Sequence, residues 1–225
     1  MCGRYTLFTD LKKLSDRFNF CSNTITYQKN YNVFPTQAVL AIITMGGERK
    51  AKYIQWGLIP SWENGLTTHS GLINARSETM HTKVSFKHAL ASMRCLILAD
   101  GYYEWSQNGK SKIPMRIQLR NGEPFAFAGL WDKWNKPDGG KVYTCAVLTK
   151  PSSNCLKTIH HRMPVILAKE DEQAWLHNDN KDIASYQQLI ARSEDTNFRF
   201  WEVSTLVNSP RNNHPECVSP LYKLT

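Results

Sequence analysis

Apolar residues along this chain gather in short alternating or unbroken runs, separated by Gly, Pro, Asn and Asp, which is the pattern of β-strands. The run Val39-Leu40-Ala41-Ile42-Ile43-Thr44 ends at Met45-Gly46-Gly47-Glu48, a tight-turn sequence. It resumes over Ala51 to Trp56, which predicts a hairpin. Further strands are predicted over 94–99, 113–119, 125–130, 142–149, 163–167 and 198–204, with Asn121-Gly122 as a hairpin turn between two of them. Helical spacing is rarer. Thr9 can cap a helix with Leu7, Leu11, Leu14 and Phe18 on one face, and short helices are predicted over 86–93, 170–177 and 183–191. No repeat, linker or low-complexity stretch breaks this order. The expected architecture is α+β: one domain over residues 1–225, with a folded, barrel-like antiparallel β core and several short peripheral helices.

Composition narrows the class. With 225 residues, 41% hydrophobic and 21% charged, the chain can bury a real core, which excludes a disordered or collagenous protein. No apolar run is long enough to span a bilayer, and MCGRYTLFTDLKK lacks the basic and apolar parts of a secretory signal. A cytoplasmic location and free thiols are therefore expected. None of the six cysteines forms a CxxC pair, so a zinc ribbon or thioredoxin-like motif has no support. Cys95 and Cys145 lie in apolar runs and read as small buried hydrophobes. A net charge of +9 is scattered from Arg4 to Lys223, which suits a folded surface that meets a polyanion. Charge alone fits a merely basic protein equally well.

The chemistry begins at Cys2. Once Met1 is removed, Cys2 carries an α-amine of pKa about 8 beside a thiol of ordinary pKa about 8.5, both partly nucleophilic near neutral pH. The amine can condense with an aldehyde, and the thiol can then close on the imine carbon as a five-membered thiazolidine. This requires an accessible amino terminus within a few bond lengths of its helper groups. A cysteine after the initiator is ordinary taken alone, but Gly3 allows close approach to the backbone and Arg4 offers a guanidinium for phosphate. Polar clusters stand at the ends of the apolar runs: the Trp56–Trp62 loop, Asn74-Ala75-Arg76-Ser77-Glu78-Thr79, Asp100-Gly101-Tyr102-Tyr103-Glu104-Trp105 and Ile159-His160-His161-Arg162. Glu104 lies between aromatics, where desolvation raises a carboxyl pKa towards general-acid duty. Each cluster has a plain alternative, such as a paired surface carboxylate, a satisfied histidine or a solvated arginine.

Taken in order, MCGRY, YNVFPT, WGLIPSW, NARSET, DGYYEW, IHHRMPVIL and VSTLVN resemble the SRAP family of SOS response-associated peptidases, or abasic-site processing proteins, over nearly the whole chain. The resemblance implies covalent capture of DNA damage: the terminal cysteine links to the ring-opened aldehyde of an abasic site in single-stranded DNA or at a single-strand/duplex junction. It implies Cys2 as nucleophile, Asn74 as orienter of the α-amine and sugar, Glu104 as acid/base and His160 as proton shuttle. Gly3, Arg4, Trp62, Arg76, Thr149 and Arg162 fall at positions expected to meet DNA, with Trp62 stacking near the lesion. Glu63 departs from members that carry a second aromatic there. A monomer, nucleoid-associated when bound to DNA, needing neither metal nor cofactor, completes the expectation. Met1 can be lost by self-processing or to an aminopeptidase, and β-elimination at the imine gives a lyase side reaction.

Two other classes compete. A cysteine peptidase of the N-terminal-nucleophile type would use Cys2, His160 and Glu104 on proteins, with DNA irrelevant. A non-catalytic single-strand binder would be indifferent to abasic sites and to Cys2. The basic charge disfavours the first, and the set Cys2, Asn74, Glu104 and His160 disfavours the second.

Overall fold

In the computed structural model, which describes residues 2–63, 71–177, 182–195 and 197–221, the chain runs β1 (Tyr5–Leu7), α1 (Leu11–Phe18), β2 (Asn30–Val33), β3 (Ala38–Met45), β4 (Glu48–Trp56), β5 (Asn74–Arg76) and α2 (Val84–Ser92). It continues through β6 (Arg94–Ala99), β7 (Gly101–Asn108), β8 (Ser111–Leu119), β9 (Phe125–Asn135), β10 (Lys141–Pro151), β11 (Arg162–Pro164), α3 (Glu172–Leu176), α4 (Ile183–Ala191) and β12 (Phe198–Glu202). Five strands close into a barrel. β3 pairs with β4 and β6, and β9 with β6 and β10, all antiparallel, while β10 meets β4 in parallel, Thr144 opposite Gln55. β5 and β11 extend along β10, parallel and antiparallel respectively. The other five strands form an antiparallel sheet in the order β12-β8-β7-β1-β2.

Local chemistry explains these elements. Every residue of β6, Arg-Cys-Leu-Ile-Leu-Ala, is buried, as a strand covered on both faces requires. The β3–β4 hairpin turns at Gly46 and Gly47, both at positive φ (62° and 80°), the geometry of a two-residue turn that matches strand twist. The two sheets dock through rings: Tyr5 stands 5.4 Å from Trp56 and 5.5 Å from Phe127, and Tyr102 6.2 Å from Phe127. Asp100 holds the short strand β1. Its carboxylate accepts from Thr6 Oγ1 at 2.6 Å, from the Phe8 and Thr9 amides at 2.6 and 2.8 Å, and from Thr9 Oγ1 at 2.9 Å. A Cβ at Gly101 would lie 2.2 Å from Arg116 Nη1, so the buried guanidinium would have to shift to admit one.

The α+β class, the barrel and the β3–β4 hairpin match the sequence expectation, and several details correct it. The core is not wholly antiparallel, since β10 pairs in parallel with β4 and β5. Thr9 does not cap α1. Asp10 stands at that position, Thr9 serves Asp100, and Leu7 belongs to β1. Asn121-Gly122 turns, with Gly122 at φ 71°, but it makes no hairpin: β8 pairs with β7 and β12, whereas β9 joins the barrel. The helix expected over 170–177 divides into a 3₁₀ turn, Lys169–Asp171, followed by α3. The strand expected over 163–167 shortens to β11 plus a single bridge between Ile166 and Phe127.

Candidate functional site

Four separate segments converge where the two sheets meet. Cys2 leads into β1, whose register on β7 (Tyr5 opposite Tyr102, with the Tyr103 amide donating to the Arg4 carbonyl at 2.9 Å) carries the amino terminus alongside Glu104. Asn74 opens β5 and is fixed opposite Val147 of β10; its Nδ2 donates to the Cys2 carbonyl at 2.9 Å. Its Oδ1 is buried with no hydrogen-bond partner among the described residues. His160 follows the turn after β10, and its Nδ1 lies 4.0 Å from Glu104 Oε1.

Burial sets the protonation states. Glu104 is 4% exposed, and desolvation lifts its carboxyl to about 7, so acid and carboxylate coexist near neutrality. Burial lowers His160 below the usual histidine value. His160 Nδ1 lies 3.0 Å from both the amide nitrogen and the carbonyl oxygen of Arg162, so the backbone of this one residue fixes the orientation of the ring. Cys2 has no exposed surface, and burial, reinforced by the Glu104 charge, pushes its thiol well above the ordinary range. This corrects the expectation of an open amino terminus and a half-ionised thiol: in the chain that carries Met1, Cys2 is enclosed and protonated. Met1 lies outside the described residues.

A cavity of about 440 Å³ opens beside this group, lined by Glu104, Trp105, Lys112, His160 and Asn208. Asn208 Oδ1 accepts from Trp105 Nε1 at 2.8 Å. Trp105 and Asn208 lie inside sequence blocks already singled out, whereas Lys112 carried no signal of its own. A larger cavity of about 700 Å³, walled by Lys150, Ser152, Cys155, Ile190 and neighbours, contains none of the four converging residues.

The residues expected at DNA divide into two groups. Trp62 is 53% exposed, Gly3 is half-buried, and Arg76 is exposed with no side-chain hydrogen bond or ion pair among the described residues. Arg4 is half-buried and donates to Asn32 Oδ1 and to the Val207 carbonyl, each at 2.8 Å. Arg162 and Thr149 are buried and turned on each other. Arg162 Nη2 donates to the Thr149 carbonyl at 2.7 Å and to its Oγ1 at 3.1 Å, and the guanidinium grips both carboxylate oxygens of Glu78. No group of three or more His, Cys, Asp or Glu is arranged to hold a metal among the described residues. No helix among them is long and apolar enough to cross a membrane.

The model of the SOS response associated peptidase (SRAP) family matches residues 1–210. This chain belongs to the SRAP family. It is 42% identical over 221 residues to the abasic site processing protein YoqW of Bacillus subtilis, covering 97% of this chain and 99% of that one. It is 33% identical to the abasic site processing protein HMCES of Gallus gallus, over 87% of this chain and 67% of that protein. A crystal structure of a Bacteroides thetaiotaomicron protein superposes with a TM-score of 0.84 at 26% identity, covering 98% of this chain and all of that one. The SRAP match thus spans both sheets and all four converging residues.

Proposed function

We propose that this protein captures abasic sites in single-stranded DNA, forming a thiazolidine through Cys2 once Met1 has been removed. The observation that carries it is the convergence of Cys2, Asn74, Glu104 and His160, the last two lining one cavity, in a chain whose SRAP relatives are named for abasic site processing. Loss of Met1 creates the free α-amine and takes away the residue preceding Cys2. The amine attacks the aldehyde carbon of the ring-opened sugar, and water leaves to give an imine. The thiol then adds across the C=N bond, its proton passing to the nitrogen, and the ring closes with no change of oxidation state.

Glu104, half-protonated near pH 7, acts as the acid that opens the sugar ring and helps water depart. Asn74 Oδ1, a buried acceptor with no partner among the described residues, receives the α-amine, and His160, oriented through Nδ1 by the Arg162 backbone, shuttles protons for the opened sugar. Arg76 and Arg4 grip phosphates and Trp62 stacks on a flanking base. Thr149 and Arg162 act indirectly, by holding the backbone that orients His160. A thiolate peptidase fits poorly, because burial raises the Cys2 thiol where such a nucleophile needs it lowered.

The test is incubation of the processed protein with a single-stranded oligonucleotide bearing one abasic site, read by intact mass and denaturing gel. A covalent adduct at the summed mass of protein and DNA less one water, surviving denaturation, is expected, absent from Cys2→Ala and from chain that retains Met1. Equal adduct with Cys2→Ala would overturn the proposal.

A further inference from the structure

Where β9 and β10 run out of the core, one half-buried patch at that end of the barrel is basic and aromatic, and the abasic chemistry makes no use of it. Tyr143 of β10 stands opposite Lys133 of β9, and Trp131 and Lys141 take the neighbouring same-face positions. The parallel pairing of β4 with β10 sets Lys52 beside them, with its Nζ 4.7 Å from the centre of the Tyr143 ring. The Trp131 and Tyr143 rings lie 5.7 Å apart, tilted by 37°. Lys50 occupies the next same-face position on β4 and is loosely paired with Glu48 at 3.7 Å. Lys52, Lys133 and Lys141 make no ion pair among the described residues, so this face keeps its positive charge.

We infer that this face is a second contact surface for single-stranded nucleic acid, holding the strand that flanks the lesion. The inference rests on DNA being the partner, as proposed above. Lysines on adjacent strands are about 4.8 Å apart and same-face positions along a strand about 6.8 Å, close enough to serve successive phosphates of one chain. The paired rings offer stacking to unpaired bases, which a duplex keeps inside its own stack. An acidic protein would satisfy the lysines but leave the rings without a matching partner.

The test uses lesion-free single strands, short and long, with binding followed by fluorescence anisotropy across a salt series. Compared with the parent, the triple variant Lys52→Ala, Lys133→Ala, Lys141→Ala should lose the gain in affinity from short to long strands. Its salt slope should be smaller by about 2, three phosphates at roughly 0.7 each. Lys141→Glu, a single change at an exposed position that spares the packed rings, should move both readouts the same way. Unchanged length dependence and slope in both variants overturn the inference. So does retained long-strand affinity alongside lost binding to a polyglutamate peptide, which assigns the face to an acidic protein. Covalent capture of a short abasic oligonucleotide is read in parallel and should be equal in parent and variants. Its failure in the parent counts against the proposed function, while the lesion-free slopes still decide for or against this face.

Discussion

Glu104 combines almost complete burial with a carboxyl that titrates near 7, against 4.5 for an ordinary glutamate, and the two facts pull stability and chemistry in opposite directions. As pH rises, an unfolded glutamate gives up its proton before the folded one does. Stability from this residue is therefore full below about 4.5, declines through the interval, and levels off above about 7 with about 3 kcal/mol lost. Glu104→Gln cannot ionise, so its advantage over the parent in urea midpoint should grow from about pH 5 to about pH 8. The same variant should capture abasic DNA about 10²- to 10⁴-fold more slowly, and the parent's rate should level off between about pH 7 and about pH 8, as loss of the acid form offsets release of the α-amine, and fall above that. A variant that is less stable at the higher pH would show that the carboxylate, not the acid, is favoured in the fold. Cys2 allows a second measurement at this scale. In chain that retains Met1, its enclosed and protonated thiol should react with iodoacetamide far more slowly than exposed Cys21 and Cys155, as peptide mapping of the labelled protein would report.

At the scale of elements, β1 is only three residues long and holds its place through side chains more than through its own ladder. Asp100 accepts four hydrogen bonds from Thr6, Phe8 and Thr9, so Asp100→Ala leaves two amides and the Thr9 hydroxyl without an acceptor and Thr6 Oγ1 with only the Gly101 carbonyl at 3.2 Å. A loss of about 3 kcal/mol in chemical denaturation is expected, accompanied by slower capture because Cys2 is carried on this strand. Dependence on distant partners also separates what the sequence disclosed from what it hid. The runs of β3, β6, β9 and β10 are largely apolar, and β4 was found through the Gly46-Gly47 turn and the Ala51–Trp56 run that follows it. β1, β2 and β5 are three or four residues long and depend on pairing with strands far along the chain, so no local pattern could reveal them. β7 was hidden for another reason: its Tyr-Tyr-Glu-Trp core reads as a polar cluster until both of its neighbours are in place. Asn121-Gly122 carried a true turn signal but not the identity of the strands it joins. Among the candidate residues, Cys2, Asn74, Glu104 and His160 do meet, and it was the resemblance to the SRAP family, not their spacing, that had grouped them. The inward turn of Arg162 and Thr149 towards Glu78 depends on β11 lying against β10, which spacing along the chain does not express.

The whole molecule is two sheets that meet at the site, and each sheet contributes part of it. Cys2 and Glu104 belong to the five-stranded sheet, whereas Asn74 and His160 are attached to the barrel through β5 and the turn after β10. The constellation therefore exists only while the sheets are docked, and Tyr5, wedged between Trp56 and Phe127, is central to that docking. Capture of abasic DNA, followed at increasing urea, should be lost at the same midpoint as the tryptophan fluorescence signal of global unfolding. Tyr5→Ala removes a fully buried ring, which costs about 3–5 kcal/mol, and should move both midpoints down together. Activity lost well before fluorescence would mean that the sheets separate, or the amino terminus peels away, as an independent unit. Coincident midpoints in parent and variant would make the joint between sheets the element that couples folding to chemistry, because no single sheet holds enough of the site to act alone.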